Sequence, residues 1–209
     1  NLIQAAHKNN IKKFIFTSSD KAVNPTSVMG TTKLLGEKLT TSANLNSKKT
    51  IFSSVRFGNV LGSSGSFIPI FKKQIINNKN ITITDKRMTR FIMTINEAVE
   101  LIVKTSQLAK GGEVFVFKMP AVNVDEVADA MIELYSNKKN KLKKVYIGSR
   151  PGEKLYEELL TDEEIRRTKE TDKYFIVHPP FSNIYDSKNN HKHKNNLKYS
   201  YNSSNTALL

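Results

Sequence analysis

A short run near the start of the chain gathers residue types that can move protons. Thr17-Ser18-Ser19 closes an apolar stretch, Asp20 and Lys21 follow at once, and Lys33 comes twelve residues after Lys21. A strand ending in three hydroxyl residues would set them at the carboxyl edge of a parallel sheet, where folds of that kind hold ligands. Asp20 and Lys21 are an acid and a potential base on one turn. Met29 and Lys33, four residues apart, face the same side of a helix. A hydroxyl, an acid and two lysines can carry out proton transfer beside a redox cofactor. The same residues also describe a capped turn, with Ser19 or Asp20 bonding backbone amides and both lysines in water. Residue types alone leave these two readings level.

For such residues to meet, a strand, a turn and a helix must follow one another, and the spacing predicts that order. Ile11 to Thr17 is a short run dense in Ile and Phe, suited to a buried parallel strand. After Asn24-Pro25, Ser27 is placed to cap a helix through Lys33, Leu34, Leu35 and Leu39. Thr50 to Phe57 is the next expected strand, closed by the loop GNVLGSSGS. Helices are expected over 69–77, 95–110 and 123–135, and strands over 81–84, 113–118 and 144–147. The segment GSRPGEKLYEELL reads as a loop opening into a helix. Leu2, Ile3, Ala5 and Ala6 form the end of an amphipathic helix that begins in mid-pattern. Strands alternating with helices imply an α/β fold with a largely parallel sheet.

Composition bounds the function classes. The chain has 209 residues, 38% hydrophobic and 25% charged, with no cysteine, which describes a globular protein without disulfides or thiolate metal sites. No apolar run is long enough for a membrane span and no signal peptide is legible, so a cytoplasmic location is the default expectation. His178, His191 and His193 lack partners at metal-ligand spacing, and no metal is expected. Met88, Met93 and Met131 read as core filler. The net charge of +14 raises the question of nucleic acid. Yet the lysines are spread through the chain alongside asparagine, as in NNKN and NKKNKLKK, and no basic stripe is interleaved with aromatics. No nucleic-acid partner is expected, though a basic cleft helps draw in a phosphate-bearing substrate.

Four segments, in order, carry a family resemblance. SSDKAVNPTSVMGTTK contains Ser19-Asp20-Lys21 and the box Met29-Gly30-Thr31-Thr32-Lys33. Val55 to Gly62 reads VRFGNVLG, Met88 to Phe91 reads MTRF with Thr94 beyond it, and Arg150 to Lys154 reads RPGEK. Together they resemble the extended short-chain dehydrogenase/reductase superfamily, in its UDP-N-acetylglucosamine 4,6-dehydratase and capsular polysaccharide biosynthesis branch. Most of that superfamily has tyrosine where this chain has Met29, which cannot move a proton; some dehydratases of the branch also carry methionine there.

The resemblance implies a truncated Rossmann-like doubly wound parallel sheet with a smaller C-terminal substrate-binding lobe. Residues 1–62 would be the C-terminal half of the dinucleotide-binding domain with the catalytic motif. Residues 63–180 would be the substrate lobe interleaved with the last Rossmann elements, and 181–209 a disordered polar tail. It also implies NAD or NADP as cofactor, although neither a G-x-x-G-x-x-G turn nor the acid that holds the adenosine ribose is present in the 209 residues. Lys21 would take the C5 proton, Asp20 would protonate the departing 6-hydroxyl, Ser19 would bond near the C4 oxygen, and Lys33 would hold the cofactor ribose, with Met29 in the tyrosine's place. Thr17, Ser18, Phe57, Gly58 and Val60 would line the cofactor. Asn59, Arg90 and Arg150 would meet substrate phosphates and Glu153 the ribose hydroxyls, since an arginine fork can bond two phosphate oxygens at once.

Blander readings stand beside these. Gly58, Gly62 and Gly65 could cradle phosphate at a helix start or simply supply positive φ in a loop. Arg90 alone would be a solvated arginine, and Glu153 a first-turn acid near a helix dipole. The reaction implied is 4,6-dehydration of a UDP-sugar, UDP-N-acetylglucosamine with C5 inversion being preferred, by a homo-oligomer. The alternatives are a C4-epimerase or reductase, which would not need the Asp20-Lys21 pair, and a catalytically silent nucleotide-sugar-binding fragment.

Overall fold

Helix and strand alternate from the first residues, as the apolar spacing requires. The computed structural model describes residues 1–136, 142–180 and 200–209. The chain opens with α1 (Leu2–Lys8), β1 (Lys13–Ser19), one 3-10 turn (Asp20–Ala22), α2 (Val28–Leu45) and β2 (Ile51–Phe57). β3 (Asn59–Val60), α3 (Phe67–Ile76), β4 (Ile81–Ile83) and β5 (Thr89–Met93) follow. Next come α4 (Ile95–Leu108), β6 (Val114–Phe117), β7 (Ala121–Asn123), α5 (Val124–Tyr135) and β8 (Lys144–Tyr146). The described chain closes with β9 (Glu158–Leu160), α6 (Asp162–Ile165), β10 (Thr168–Glu170), β11 (Tyr174–Val177) and β12 (Tyr201–Asn202).

These elements form two compact units. The first comprises residues 1–57, 96–118 and 158–201, and the second 58–95, 119–157 and 202–209. The chain therefore passes to the second unit at Phe57, five residues before the expected boundary at 62, and returns to the first for α4 and β6.

The first unit is built on a five-stranded sheet in the order β1-β2-β6-β11-β10. β1, β2 and β6 run parallel, with Ser19 level with Phe57, while β11 and β10 are antiparallel additions that the sequence pattern did not reveal. β2 lies between β1 and β6, and Phe52 to Arg56 are all buried. Val55, Leu101, Ala109, Phe115 and Tyr174 form the core on one face. α2 starts where Ser27 predicts, its hydroxyl accepting the Gly30 N–H at 3.1 Å.

A buried charge cluster fastens this unit. The Arg56 side chain is 2% exposed. It gives Nε and Nη2 to the two oxygens of Glu37 at 2.8 and 2.7 Å, and Nη1 and Nη2 to those of Glu164 at 2.8 and 2.7 Å. Nη1 also donates to the Leu159 carbonyl at 2.9 Å, so five hydrogen bonds engage the fork's donors. Burial pulls the Arg56 guanidinium toward neutrality, but the charges and hydrogen bonds of Glu37 and Glu164 outweigh it and hold the group protonated.

One expectation fails here. The helix predicted after RPGEK is instead the strand β9, because Leu159 and Leu160 are both fully buried and the Leu159 carbonyl is claimed by Arg56.

In the second unit, α3 and α5 bury Phe71, Ile75, Val124, Ala128 and Met131 against Ile81 and Ile83 of β4. β3, β5 and β7 form a three-stranded sheet, and β4 pairs in parallel with β8. Met88, Met93 and Met131 are buried. Of the tail expected over 181–209, residues 181–199 lie outside the described residues. Residues 200–209 do not fit that expectation. Ser203 is fully buried, its hydroxyl accepts the Glu157 N–H at 3.0 Å and lies 2.8 Å from Thr89 Oγ1, and Leu209 N–H reaches the Ala121 carbonyl at 3.0 Å. These polar residues are held because they satisfy buried partners that water cannot reach.

Candidate active site

The end of β1 turns directly into the 3-10 turn, and that turn brings together the side chains of Ser19, Asp20 and Lys21. Ser19 is its N-cap: Oγ accepts the Lys21 N–H at 3.2 Å and donates to Asp20 Oδ1 at 2.8 Å. Lys21 Nζ lies 2.9 Å from the same Oδ1. The Asp20 side chain has no exposed surface, whereas that of Lys21 is 34% exposed. Asp20 Oδ2 and Ser18 Oγ are both buried without a hydrogen-bond partner among the described residues. Such groups are costly to bury.

α2 lies against the turn. A Cβ on Gly30 would sit 2.2 Å from the Lys21 carbonyl oxygen, so only glycine allows this approach. The helix carries Lys33 to the end of β1, where Nζ donates to the Thr17 carbonyl at 2.9 Å and stands 5.3 Å from the centre of the Phe16 ring. Met29, at the start of the same helix, is 46% exposed and offers no proton. The structure bears on the capped-turn reading of residues 17–33. Ser19 does cap a turn, but neither lysine merely extends into water: Lys21 pairs with Asp20 and Lys33 docks on the strand end. Thr17 is exposed, Ser18 buried, and Phe57 ends β2 level with Ser19.

The second unit gathers most of the residues expected to bind substrate. Arg90, on β5, is buried, and its fork is already engaged. Nη1 donates to the carbonyls of Thr89 at 2.7 Å and Leu155 at 3.2 Å, and Nη2 to that of Lys154 at 2.9 Å. Glu153 and Glu157 carboxylates stand 3.8 and 3.9 Å away. In this arrangement Arg90 organises the RPGEK segment. Within that segment Glu153 N–H bonds the Arg150 carbonyl at 3.0 Å and Thr84 Oγ1 donates to Glu153 Oε1 at 3.3 Å. Glu153 lies in this turn and not in a helix, so no helix dipole acts on it. The Arg150 side chain is exposed.

Asn59 and Val60 form β3, paired with Ile92 and Met93 of β5, which puts Asn59 near Arg90 in the register. The glycines between β2 and α3 do two different jobs. A Cβ on Gly58 would collide with Met119 Sδ at 2.6 Å and Phe91 Cβ at 2.7 Å, whereas Gly62 and Gly65 stand in open space at φ of 76° and 78°.

Sequence reasoning missed the Arg56–Glu37–Glu164 cluster. Its signal was a charged residue in the middle of an apolar strand, in Ser54-Val55-Arg56-Phe57.

A parallel sheet with a hydroxyl-acid-lysine turn at its carboxyl edge, and a helix lysine docked on that edge, defines an α/β fold of the Rossmann-like short-chain dehydrogenase/reductase kind. Comparison with known proteins gives the family. The profile of the polysaccharide biosynthesis protein family matches residues 1–179, and the chain belongs to that family. It is 51% identical over 185 residues to an uncharacterized membrane protein of Methanocaldococcus jannaschii, covering 86% of this chain and 56% of that protein. It is 41% identical over 179 residues to a UDP-glucose 4-epimerase of Rickettsia bellii, covering 85% and 52%. It is 38% identical over 182 residues to an inverting UDP-N-acetylglucosamine 4,6-dehydratase of Campylobacter jejuni, covering 86% and 52%.

Among solved structures, Pen from Bacillus thuringiensis superposes with a TM-score of 0.86 at 42% identity, covering 99% of this chain and 62% of that one. A dTDP-glucose 4,6-dehydratase from Bacillus anthracis in complex with NAD superposes at 0.62 and 16% identity, covering 72% and 54%, and shows the fold alone. The family thus comprises nucleotide-sugar dehydratases and epimerases linked to polysaccharide biosynthesis. The chain spans about half the length of the curated relatives it matches. Among the described residues no helix is long and apolar enough to cross a membrane.

Proposed function

We propose that this chain serves the 4,6-dehydration of a UDP-sugar, with UDP-N-acetylglucosamine as substrate and inversion at C5. The observation that carries this reading is the contact of 2.9 Å between Lys21 Nζ and Asp20 Oδ1 on the turn at the strand end. Elimination of water across C5 and C6 needs a base for the C5 proton and an acid for the leaving 6-hydroxyl, and an adjacent lysine and aspartate provide both. Lys21, through its amine, would accept the C5 proton. Asp20 then gives its proton to the departing hydroxyl, and water leaves. Ser19, whose Oγ is fixed by two hydrogen bonds within the turn, orients the C4 oxygen.

A nicotinamide cofactor fits the exposed end of β1. Lys33 Nζ spends one N–H on the Thr17 carbonyl and keeps two for ribose hydroxyls. Held there by Lys33, a bound nicotinamide would supply the hydride chemistry that oxidation at C4 and reduction at C6 require. The glycine turn that holds the pyrophosphate in such folds is not among the 209 residues. The proposed complete enzyme is cytoplasmic and homo-oligomeric. On the binding side Arg90 was expected to pair with diphosphate; with its fork on the Thr89, Lys154 and Leu155 carbonyls it shapes the turn, and Arg150, exposed beside Glu153, is proposed to meet the phosphates.

Incubation with UDP-N-acetylglucosamine and NAD, followed by proton NMR, tests the reading. A new C6 methyl signal of a 4-keto-6-deoxy sugar is expected. A C4 epimer without that methyl would refute dehydration and favour the second reading, which the 41% identical Rickettsia bellii epimerase supports. Sugar-nucleotide binding without any turnover would favour the third, a binding fragment.

A further inference from the structure

In sequence the lysines are spread evenly; folding concentrates some of them. Three loops lead from a helix into a parallel strand of the first unit: 8–13, 45–50 and 108–113. Because β1, β2 and β6 are parallel, these loops lie along the edge of the sheet opposite Ser19, Asp20 and Lys21. Direct contacts join them. Lys13 Nζ donates to the carbonyls of Gln107 and Ala109, each at 3.3 Å, the Ile51 N–H reaches the Lys12 carbonyl at 3.0 Å, and Gly112 N–H reaches the Phe52 carbonyl at 2.7 Å.

The loops hold six lysines and one acid, Glu113. That acid is 5% exposed and is consumed internally by the Ser53 hydroxyl at 2.9 Å and by the N–H groups of Lys110 and Gly111 at 3.0 and 2.7 Å. Lys13 also points inward. Lys8, Lys12, Lys48, Lys49 and Lys110 remain exposed, with no exposed carboxylate on the same loops. Among them stand Ile11, Leu45 and Leu108, exposed by 45%, 54% and 49%. Five outward ammonium groups around three exposed aliphatic side chains match an anionic lipid surface in both of its components. The cations meet headgroup phosphates and the aliphatic tips enter the interface. The loops carry no aromatic side chain on which a base could stack.

We propose that this edge docks the protein on an anionic phospholipid surface. The seven residues of β1, at about 3.3 Å per residue, would then hold the catalytic turn roughly 20 Å above the lipid, facing water. The inference stands apart from the reaction proposed above.

Co-sedimentation of the 209-residue chain with phosphatidylcholine vesicles, with and without phosphatidylglycerol, tests it. Binding is expected only to the anionic vesicles and should weaken with salt. The variant Lys12→Glu/Lys48→Glu/Lys49→Glu should lower partitioning by at least about 100-fold, since each lysine near such a surface contributes substantially. Ile11→Ser/Leu45→Ser/Leu108→Ser should lower it without any change of charge. Lys73→Glu/Lys79→Glu/Lys86→Glu, an equal charge change in the second unit, should stay within about threefold of the parent. Circular dichroism and thermal melts on each variant report folding. The proposal is overturned by absence of binding to anionic vesicles, by equal losses in the two charge-reversed variants, or by RNA displacing the protein from vesicles through the same three lysines.

Discussion

Acid should unfasten the first unit through one carboxylate, Glu164. Burial alone would raise its pKa, but the charge and hydrogen bonds of Arg56, with the Thr161 N–H, override burial and hold it at about 2 against an ordinary 4.5. A folded value below the unfolded one means the unfolded chain binds the proton more readily, so stability is lost as pH falls. The contribution is fully present above about pH 5 and is lost progressively toward pH 2. A shift of about 2.5 units corresponds to roughly 3 kcal/mol, a large share of a domain's stability.

Urea unfolding followed by far-ultraviolet circular dichroism, at steps between pH 7 and pH 3, measures it. Other carboxylates titrate in the same window, Asp85 and Asp125 among them, both held below the ordinary range by cationic partners. The comparison is therefore with Glu164→Gln, which keeps the shape of the side chain but cannot titrate. At neutral pH the variant should be less stable by about 2–3 kcal/mol, because Arg56 loses one of two buried counter-charges. By pH 3 the gap between the two proteins should have narrowed by roughly half, closing toward pH 2. Parallel stability curves across the whole pH range would refute the reasoning, since Glu164 would then be contributing nothing through its charge.

The remaining predictions concern the catalytic turn and the substrate side. Lys21→Ala should abolish formation of the 4-keto-6-deoxy product while leaving sugar-nucleotide affinity within a few-fold, read by NMR and calorimetry; undiminished turnover would remove Lys21 from the role of base. Gly30→Ala should destabilise the first unit by about 1–3 kcal/mol, the range for forcing atoms into a packed site, because the new Cβ meets the Lys21 carbonyl at 2.2 Å; a thermal melt within error of the parent would contradict that. Arg90→Lys should weaken UDP-sugar binding even though charge is kept, because an ammonium cannot span the Thr89, Lys154 and Leu155 carbonyls; unchanged calorimetric affinity would show that the fork is not needed to shape the turn. Asp129→Ala should cost less than about 1 kcal/mol in urea unfolding, since Lys144 keeps its contact with Asp125 at 2.8 Å.

Local signals were legible and distant ones were not. The Ser27 cap and the helix behind it follow from neighbours in sequence and stand as expected, whereas the strand expected to be buried over 11–17 runs over 13–19 at the edge of the sheet, with only Ser18 buried. The helices near 95–108 and 124–135 also stand as expected, and their apolar spacing survives folding. β9 misled because Glu-Glu-Leu-Leu has the composition of a helix. What makes it a strand is burial of Leu159 and Leu160 and the claim of Arg56 on the Leu159 carbonyl, 103 residues away. The antiparallel strands β10 and β11 are four residues or shorter, too brief to show a period. The polar text after 181 suggested a loose end, yet Ser203 is buried because it completes hydrogen bonds to residues 89 and 157. In the candidate site, residue types and spacing left two readings level, and the roles expected of the motif residues came from the resemblance. That Arg90 spends its fork on backbone carbonyls was not legible, because nothing in MTRF says where residues 154 and 155 will lie.

The helix that carries Lys33 and the buried charge cluster are mechanically linked. Glu37 follows Lys33 by four residues on α2, so the two lie one turn apart on the same face. Arg56 grips both oxygens of Glu37 and leads by one residue to Phe57, which is level with Ser19. The buried pair therefore fixes the height and rotation of the helix that carries Lys33, and fixes it against the strand beside the one that ends in the Ser19-Asp20-Lys21 turn. A lysine held only by its own contact with the Thr17 carbonyl would be free to swing; one mounted on a helix pinned a turn below is held to the strand end. Buried ion pairs contribute little net stability against a well-packed apolar substitute, so the reason to retain this one lies in orientation. Replacing Arg56, Glu37 and Glu164 together by apolar residues of similar volume should accordingly spare much of the folding free energy in urea unfolding while disturbing cofactor-dependent turnover, whereas Glu37→Leu alone would strand the Arg56 charge and cost stability as Glu164→Gln does.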